Sequence, residues 1–182
     1  MVVGVPLSGT GALVSWHTPT SREGAVWGIA GPVAGPSGDS TFIMGKRGVG
    51  YLLTTSSMGG IGGQLAARTI CPAFGAGAVS GPTVYEPCYG GLAAISVSAA
   101  QRTISVRWRG PDDGNGSPGI GGGAVWVAST SSGILYELDP ANGAVRSRIG
   151  IGGGLPHFPS VSLADGTAFI GTLDSMVAVN GA

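Results

Sequence analysis

Short apolar runs alternate along the chain with clusters of Gly, Pro, Ser, Asp and Asn. No clear heptad or long 3.6-residue periodicity is present, so very little helix is predicted. The runs 41–44 (TFIM), 83–86 (TVYE), 124–127 (AVWV) and 168–171 (AFIG) are rich in β-branched and aromatic residues. Such residues fit a pleated, buried surface, so each run predicts a strand. Each is followed by a turn, mostly Gly-rich, and a second apolar run, whose last apolar residues are Leu53, Ile95, Leu138 and Val179. The steps between these anchors are 42 (53 to 95), 43 (95 to 138) and 41 (138 to 179) residues.

A near-constant period of about 40–50 residues built from strands is the mark of propeller blades, four-stranded units that bury their faces only against their neighbours. The other two strands of each unit fall around the anchors. Ahead come small-residue segments, 31–34 (GPVA), 77–80 (GAVS), 117–120 (SPGI) and 159–162 (PSVS), suited to the crowded innermost position. Behind come the outer-strand segments 103–109 (TISVRWR), 145–149 (VRSRI) and a weaker match at 65–70 (LAARTI). The segment 12–16 (ALVSW) resembles 104–108 (ISVRW) and is expected to be the outer strand of an earlier blade.

The predicted fold is therefore all-β, a β-propeller of four-stranded antiparallel blades with about four blades present. The blades are expected at about 1–30 (incomplete), 31–75, 76–115, 116–157 and 158–182 (incomplete), in a single domain. An arc cut from a larger propeller is preferred to a four-bladed ring closed by the strand near Trp16. An arc exposes an unpaired blade face at each end, so its stability should depend on further blades.

Gly 36 and Pro 12 make up about a quarter of the 182 residues, and only 10% are charged. That composition would suggest disorder, but 43% hydrophobic residues and a positive mean hydropathy argue for a packed body whose many turns consume the glycines. There is no apolar stretch long enough for a transmembrane helix. Nine basic residues balance nine acidic ones, a poor footprint for nucleic acid. Lys46 with Arg47, Arg107 with Arg109, and Arg146 with Arg148 form local clusters, read as solvated strand faces before an anion patch.

Cys71 and Cys88 are nearly equidistant from a hairpin turn at 80–82 (SGP), which brings them opposite each other. This placement suits a disulfide at the base of the hairpin. Two unpaired structural thiols are the alternative, and a metal or redox site has little support, since there is no CxxC and only His17 and His157 could join as ligands. A disulfide implies an oxidising compartment. The N-terminal MVVGVPLSG has neither the charged region nor the apolar core of a signal peptide, so a signal is expected upstream of Met1.

The stretches 124–129 (AVWVAS) and 133–143 (GILYELDPANG) resemble the repeats of the PQQ-like, or quinoprotein alcohol dehydrogenase-like, β-propeller superfamily. The runs 45–53 (GKRGVGYLL) and 157–160 (HFPS) are similar to those of bacterial secreted proteins with PQQ-binding-like repeats. The resemblance covers about residues 12–182 and implies the propeller fold. It leaves activity open, because the superfamily holds dehydrogenases, outer-membrane assembly lipoproteins and many unassigned proteins.

Members with dehydrogenase activity close the repeat with Gly-x-x-x-Trp, whose indole braces the next blade, and hold PQQ with a calcium ion, a base aspartate and an Arg or Lys. Here Gly143 is followed four places later by Ser147, while Trp108 and Trp16 follow no glycine at that spacing. Asp112, Asp113 and Asn115 in the turn PDDGNG are candidates for a cation site, but read more simply as an Asp/Asn/Gly loop. No catalytic, metal or cofactor-binding residue is assigned. The Gly-rich runs at 59–63, 119–123 and 150–154 open no helix and so do not make phosphate loops. Nothing fixes Ser15, His17 and Glu23 as a nucleophile and its base. His157 sits where an inner strand is entered, near the expected central pocket, and is read first as a structural hydrogen-bonding residue and second as a ligand contact.

The function expected is a non-catalytic extracytoplasmic binding or scaffold propeller, in the envelope or outside the cell. Its partner would be a protein or small ligand rather than nucleic acid, with no cofactor. The alternative is part of a PQQ- and Ca²⁺-dependent alcohol or sugar dehydrogenase.

Overall fold

The computed structural model describes residues 2–4, 14–17, 29–33, 40–152 and 154–181, the first three stretches by their backbone alone. Eighteen strands and no helix occur among these residues, and so none that could cross a membrane. In chain order, β1 (Val2–Gly4) and β2 (Val14–His17) precede β3 (Ile29–Val33), β4 (Ser40–Met44) and β5 (Val49–Thr54). β6 (Gly60–Ile61) and β7 (Ala66–Thr69) follow. Then come β8 (Ala78–Ser80), β9 (Thr83–Cys88), β10 (Gly91–Ser98) and β11 (Thr103–Arg109), and after them β12 (Gly119–Gly121), β13 (Ala124–Ala128), β14 (Ile134–Leu138) and β15 (Val145–Gly150). β16 (Val161–Ala164), β17 (Thr167–Gly171) and β18 (Met176–Asn180) end the order.

These strands make antiparallel meanders, as the repeat predicts: β3-β4-β5-β7, β8-β9-β10-β11, β12-β13-β14-β15 and the three-stranded β16-β17-β18. We call them blades one to four. Their innermost strands lie side by side, β3 against β8, β8 against β12 and β12 against β16, so the sheets follow one another around an arc. The crowding is visible at Gly119, where a Cβ would stand 2.9 Å from the carbonyl oxygen of Val161 on the next blade. That approach explains why the inner strands are written in small residues.

Each middle strand sends alternate side chains to opposite neighbours. On β13, Val125 and Val127 join Tyr85, Leu92, Ala94 and Trp108 of blade two, while Ala124, Trp126 and Ala128 join Val161, Ala168 and Ile170 of blade four. A third layer joins Phe42, Met44 and Leu52 of blade one to Val84, Ala93, Ile95 and Val97 of blade two. Burial on both faces is why AVWVA is continuously apolar instead of alternating. Tyr51, Tyr85, Tyr136 and Trp126, all on middle strands, are buried.

Trp108, on outer strand β11, supplies an interblade brace. Its indole Nε1 donates to the Pro140 carbonyl of blade three at 3.0 Å, and its ring centroid lies 5.7 Å from that of Tyr85. The brace thus comes from the preceding blade to the turn that ends at Gly143.

The strand around Trp16 is not an outer strand but lies between two others, and among the described residues it leaves the arc open, as the preferred reading expects. β2 pairs with β1 antiparallel and with β6 parallel, and it does not pair with β18. The ring is therefore not closed among the described residues, and β18 has a sheet partner on one side only. Pairing with sequence-near β1 closes a far shorter loop than pairing with β18 would. At that open end Leu173 and Met176 stand exposed.

Candidate functional site

Antiparallel meanders place the loop entering each inner strand and the turn between the second and third strands at the same end of the blade. At that end, blades two, three and four enclose a cavity of about 440 Å³. Blade two contributes Phe74 and Gly75 before β8, and Pro87, Cys88 and Tyr89 at the β9–β10 turn. Blade three contributes Asn115, Ser117 and Thr130, and the approach to blade four contributes Leu155, Pro156, His157 and Phe158. Polar groups from blade three are thus flanked by aromatic groups from the blades on either side.

The aromatic side chains stand in pairs. Phe74 and Tyr89 have ring centroids 6.3 Å apart at 59°, and His157 and Phe158 meet edge to face at 4.6 Å. Tyr89 is 77% exposed and Phe158 51%. Lys46 Nζ lies 5.8 Å from the centroid of the Phe74 ring on its way to solvent. Between the pairs, Asn115 Oδ1 accepts from Thr130 N at 3.1 Å and from Thr130 Oγ1 at 2.9 Å. Ser117 Oγ accepts from Ala76 N at 3.1 Å. These bonds use acceptors and leave the Asn115 amide hydrogens and the Ser117 hydroxyl hydrogen to donate.

Cys71 and Cys88 form a disulfide, with Cα atoms 5.7 Å apart. It ties the segment entering blade two to the end of β9, and the backbone reinforces it: Tyr89 N donates to Pro72 O at 2.9 Å, and Ala73 bridges to Cys88. Because Cys88 lines the cavity, the bond also fixes its blade-two wall. With a sequence separation of 17, replacing both cysteines by serine is expected to cost about 3 kcal/mol in the chain-entropy description. Urea unfolding of the variant beside the oxidised protein measures this, and an unchanged midpoint would show that the backbone bonds suffice without it.

The other sequence candidates are distributed as follows. His157 is exposed and lines the cavity. Asp113 accepts from Ser132 Oγ at 2.8 Å and from Tyr136 OH at 2.9 Å. Burial raises its pKa, but hydrogen bonds from Ser132, Ser129 and Tyr136 outweigh that and hold the carboxyl below the usual range. Asp113 and Asn115 thus tie their turn to the blade, and among the described residues no group of three or more His, Cys, Asp or Glu could hold a metal ion. The side chains of Ser15 and His17, and the whole of Glu23, lie outside the described residues.

The arginine pairs are engaged within the fold. Arg107 donates to Thr83 Oγ1 and Arg109 to the Ile70 carbonyl. Arg146 pairs with Asp139 at 2.8 Å and approaches Glu137 at 4.0 Å, while Arg148 lies 5.5 Å from the Tyr136 ring centroid. The hydrogen bond from Arg146 holds the Asp139 carboxyl below its usual range.

One functional group went unread in the sequence. Glu86 on β9 is fully buried, and neither carboxyl oxygen has a hydrogen-bond partner among the described residues. Strand alternation puts it on the face of Val84 and Cys88, toward blade one and away from the cavity. Burial pushes its carboxyl up to about 8. Within TVYEPC nothing but its charge type distinguished it.

No known protein family matches the sequence, and neither does any curated protein. Solved structures are similar in fold. BamB from Moraxella catarrhalis matches with a TM-score of 0.62 and 13% identity, over 87% of this chain and 49% of that one. The computationally designed protein Ika8 matches with a TM-score of 0.66 and 11% identity, over 93% of this chain and 49% of that one. The β-propeller domain of Cps50 (Swd1) from Myceliophteria thermophila matches with a TM-score of 0.60 and 10% identity, over 84% and 53%. The chain is thus a partial β-propeller spanning about half the length of the structures it resembles.

Proposed function

We propose that the chain is part of a non-catalytic, extracytoplasmic propeller of the PQQ-like repeat type, which binds its ligand in the cavity of blades two to four. One observation carries this proposal: a cavity of about 440 Å³, of ligand-binding size and lined by no Asp, Glu, Lys or Arg, has exposed Tyr89 and Phe158 and the hydrogen-bonding groups of Asn115, Ser117 and Thr130 in its walls. Exposed aromatic surface beside a cavity costs solvation free energy unless a partner covers it. No Asp, Glu, Lys or Arg lines the cavity, so His157, its one imidazole of the general acid–base type, has no carboxylate beside it in the lining to orient it. The Cys71–Cys88 disulfide supports an oxidising compartment.

A small-molecule screen by protein-observed NMR tests the proposal. Hits are expected to shift the amides of Asn115, Ser117, Thr130 and Phe158, and a Tyr89→Ala, Phe158→Ala double variant should lose those shifts while keeping its fold. Hits scattered over the blades, or none at the cavity, would contradict it. Adding PQQ and Ca²⁺ should yield no alcohol- or sugar-dependent dye reduction; turnover would replace this function with a dehydrogenase.

A further inference from the structure

Resting on that binding function, we propose that the cavity recognises a neutral saccharide, of the size of a mono- or disaccharide. Three observations converge on this ligand class. No carboxylate, ammonium or guanidinium group is among the lining residues, and the basic groups beside the cavity are the His157 imidazole, edge to face with Phe158, and Lys46 over the Phe74 ring. A neutral ligand is therefore favoured over one whose own charge would be desolvated without a built ion-pair partner. The flanking walls are aromatic, with Phe74 and Tyr89 on one side and Phe158 on the other, and Tyr89 and Phe158 are exposed. Ring faces carry negative charge density and attract the polarised C–H faces of a pyranose.

The third observation is the polar lining. Asn115 Oδ1 is occupied by two donors from Thr130, which leaves the amide hydrogens of this cavity-lining residue to donate to a ligand. Thr130 has given its hydroxyl hydrogen to Asn115 and keeps lone pairs to accept. Ser117, already accepting from Ala76 N, donates. Donors and an acceptor therefore stand side by side, with Thr130 Oγ1 only 2.9 Å from Asn115 Oδ1. Neighbouring hydroxyls of a sugar, each able to donate and accept, answer that alternation. A proline-rich peptide, whose imide backbone offers acceptors only, leaves the Thr130 lone pairs unanswered.

Titration of the whole chain with cellobiose, maltose and N,N′-diacetylchitobiose, beside glucuronate, glucose 6-phosphate and decaproline, tests the assignment. At least one neutral disaccharide is expected to bind with a Kd of about 0.1–1 mM. The charged sugars should bind about tenfold more weakly or not at all. Asn115→Asp retains the acceptor for Thr130 while removing the amide donors, and it should weaken binding about tenfold or more without changing the melting temperature greatly. Phe158→Ala, at an exposed position, should do the same. If every saccharide is silent at about 10 mM, beyond the range expected of such a site, while decaproline or a screening hit shifts the cavity amides, the saccharide assignment falls and the binding function stands. Silence of the cavity toward every probe overturns both. Binding undiminished in both variants likewise overturns the assignment, since it places the sugar elsewhere.

Discussion

Replacing Glu86 with glutamine is expected to stabilise the folded protein at pH 8 by roughly 2–5 kcal/mol and to do little or slightly harm at pH 4. The carboxyl is buried without a hydrogen-bond partner among the described residues, and burial raises it from the ordinary carboxylate value of 4.5 to about 8. A group whose folded pKa lies above its unfolded one stabilises the fold fully below the unfolded pKa. Here that contribution is lost as pH rises from about 4.5, where the unfolded chain ionises, to about 8, where the folded one does. The full shift sets the upper end of the range, and water reaching the site brings it down. Glutamine removes the ionisation, while its amide hydrogens lack a partner as the acid did, so the gain should grow with pH. Urea midpoints of both proteins from pH 4 to 8.5 measure this directly. A wild-type midpoint that stays level from pH 5 to 8 would mean the carboxylate has a partner after all.

Trp108→Ala is expected to cost about 3–5 kcal/mol, because it empties a large buried volume and removes a hydrogen bond at the junction of two blades. Its indole is 9% exposed, packs against Tyr85 and donates to Pro140 O across the junction. Gly143 is the counterpart: its φ is +75°, and a Cβ there would come within 2.5 Å of the Trp108 ring. Gly143→Ala therefore combines backbone strain with a clash and should also be costly. In the Trp108→Ala background the clash is gone and only the strain remains, so the two changes together should cost less than their sum. Additive costs in chemical unfolding would show that the two residues do not touch.

Much of the fold was legible because the middle strands are buried on both faces. AVWVA and TVYEPC read as continuous apolar runs with one interruption, and their spacing repeats because each blade repeats the same packing problem. The disulfide was legible too, since Cys71 and Cys88 flank a local hairpin. The strand near Trp16 was not, because its resemblance to the segment ending at Trp108 says nothing about which edge it finds. Nor was the Trp108 brace, since the turn it holds belongs to the next blade and the sequence spacing of Gly143 to Trp108 runs backward. The cavity was hidden for the same kind of reason. Phe74, Asn115 and Phe158 stand about 40 residues apart in successive repeats and meet only when the blades stack. His157, read from the sequence first as a structural hydrogen-bonding residue and second as a ligand contact, lines the cavity, and its role there is untested. In the sequence Asn115 stands in the company of Asp112 and Asp113, whereas in the structure its side chain bonds to Thr130.

The stacking of blades around a common arc is what every site described above depends on, and interblade NOEs test it most directly. Contacts are expected between the Trp108 indole and the Gly143 Hα protons, and between the Leu163 methyls and Gly121 Hα, whose Cβ position lies 3.1 Å from Leu163 Cδ1. Their presence together in one folded species would support adjacent blades two, three and four. Strand pairing within each sheet without these contacts would contradict the propeller arrangement, and with it the cavity.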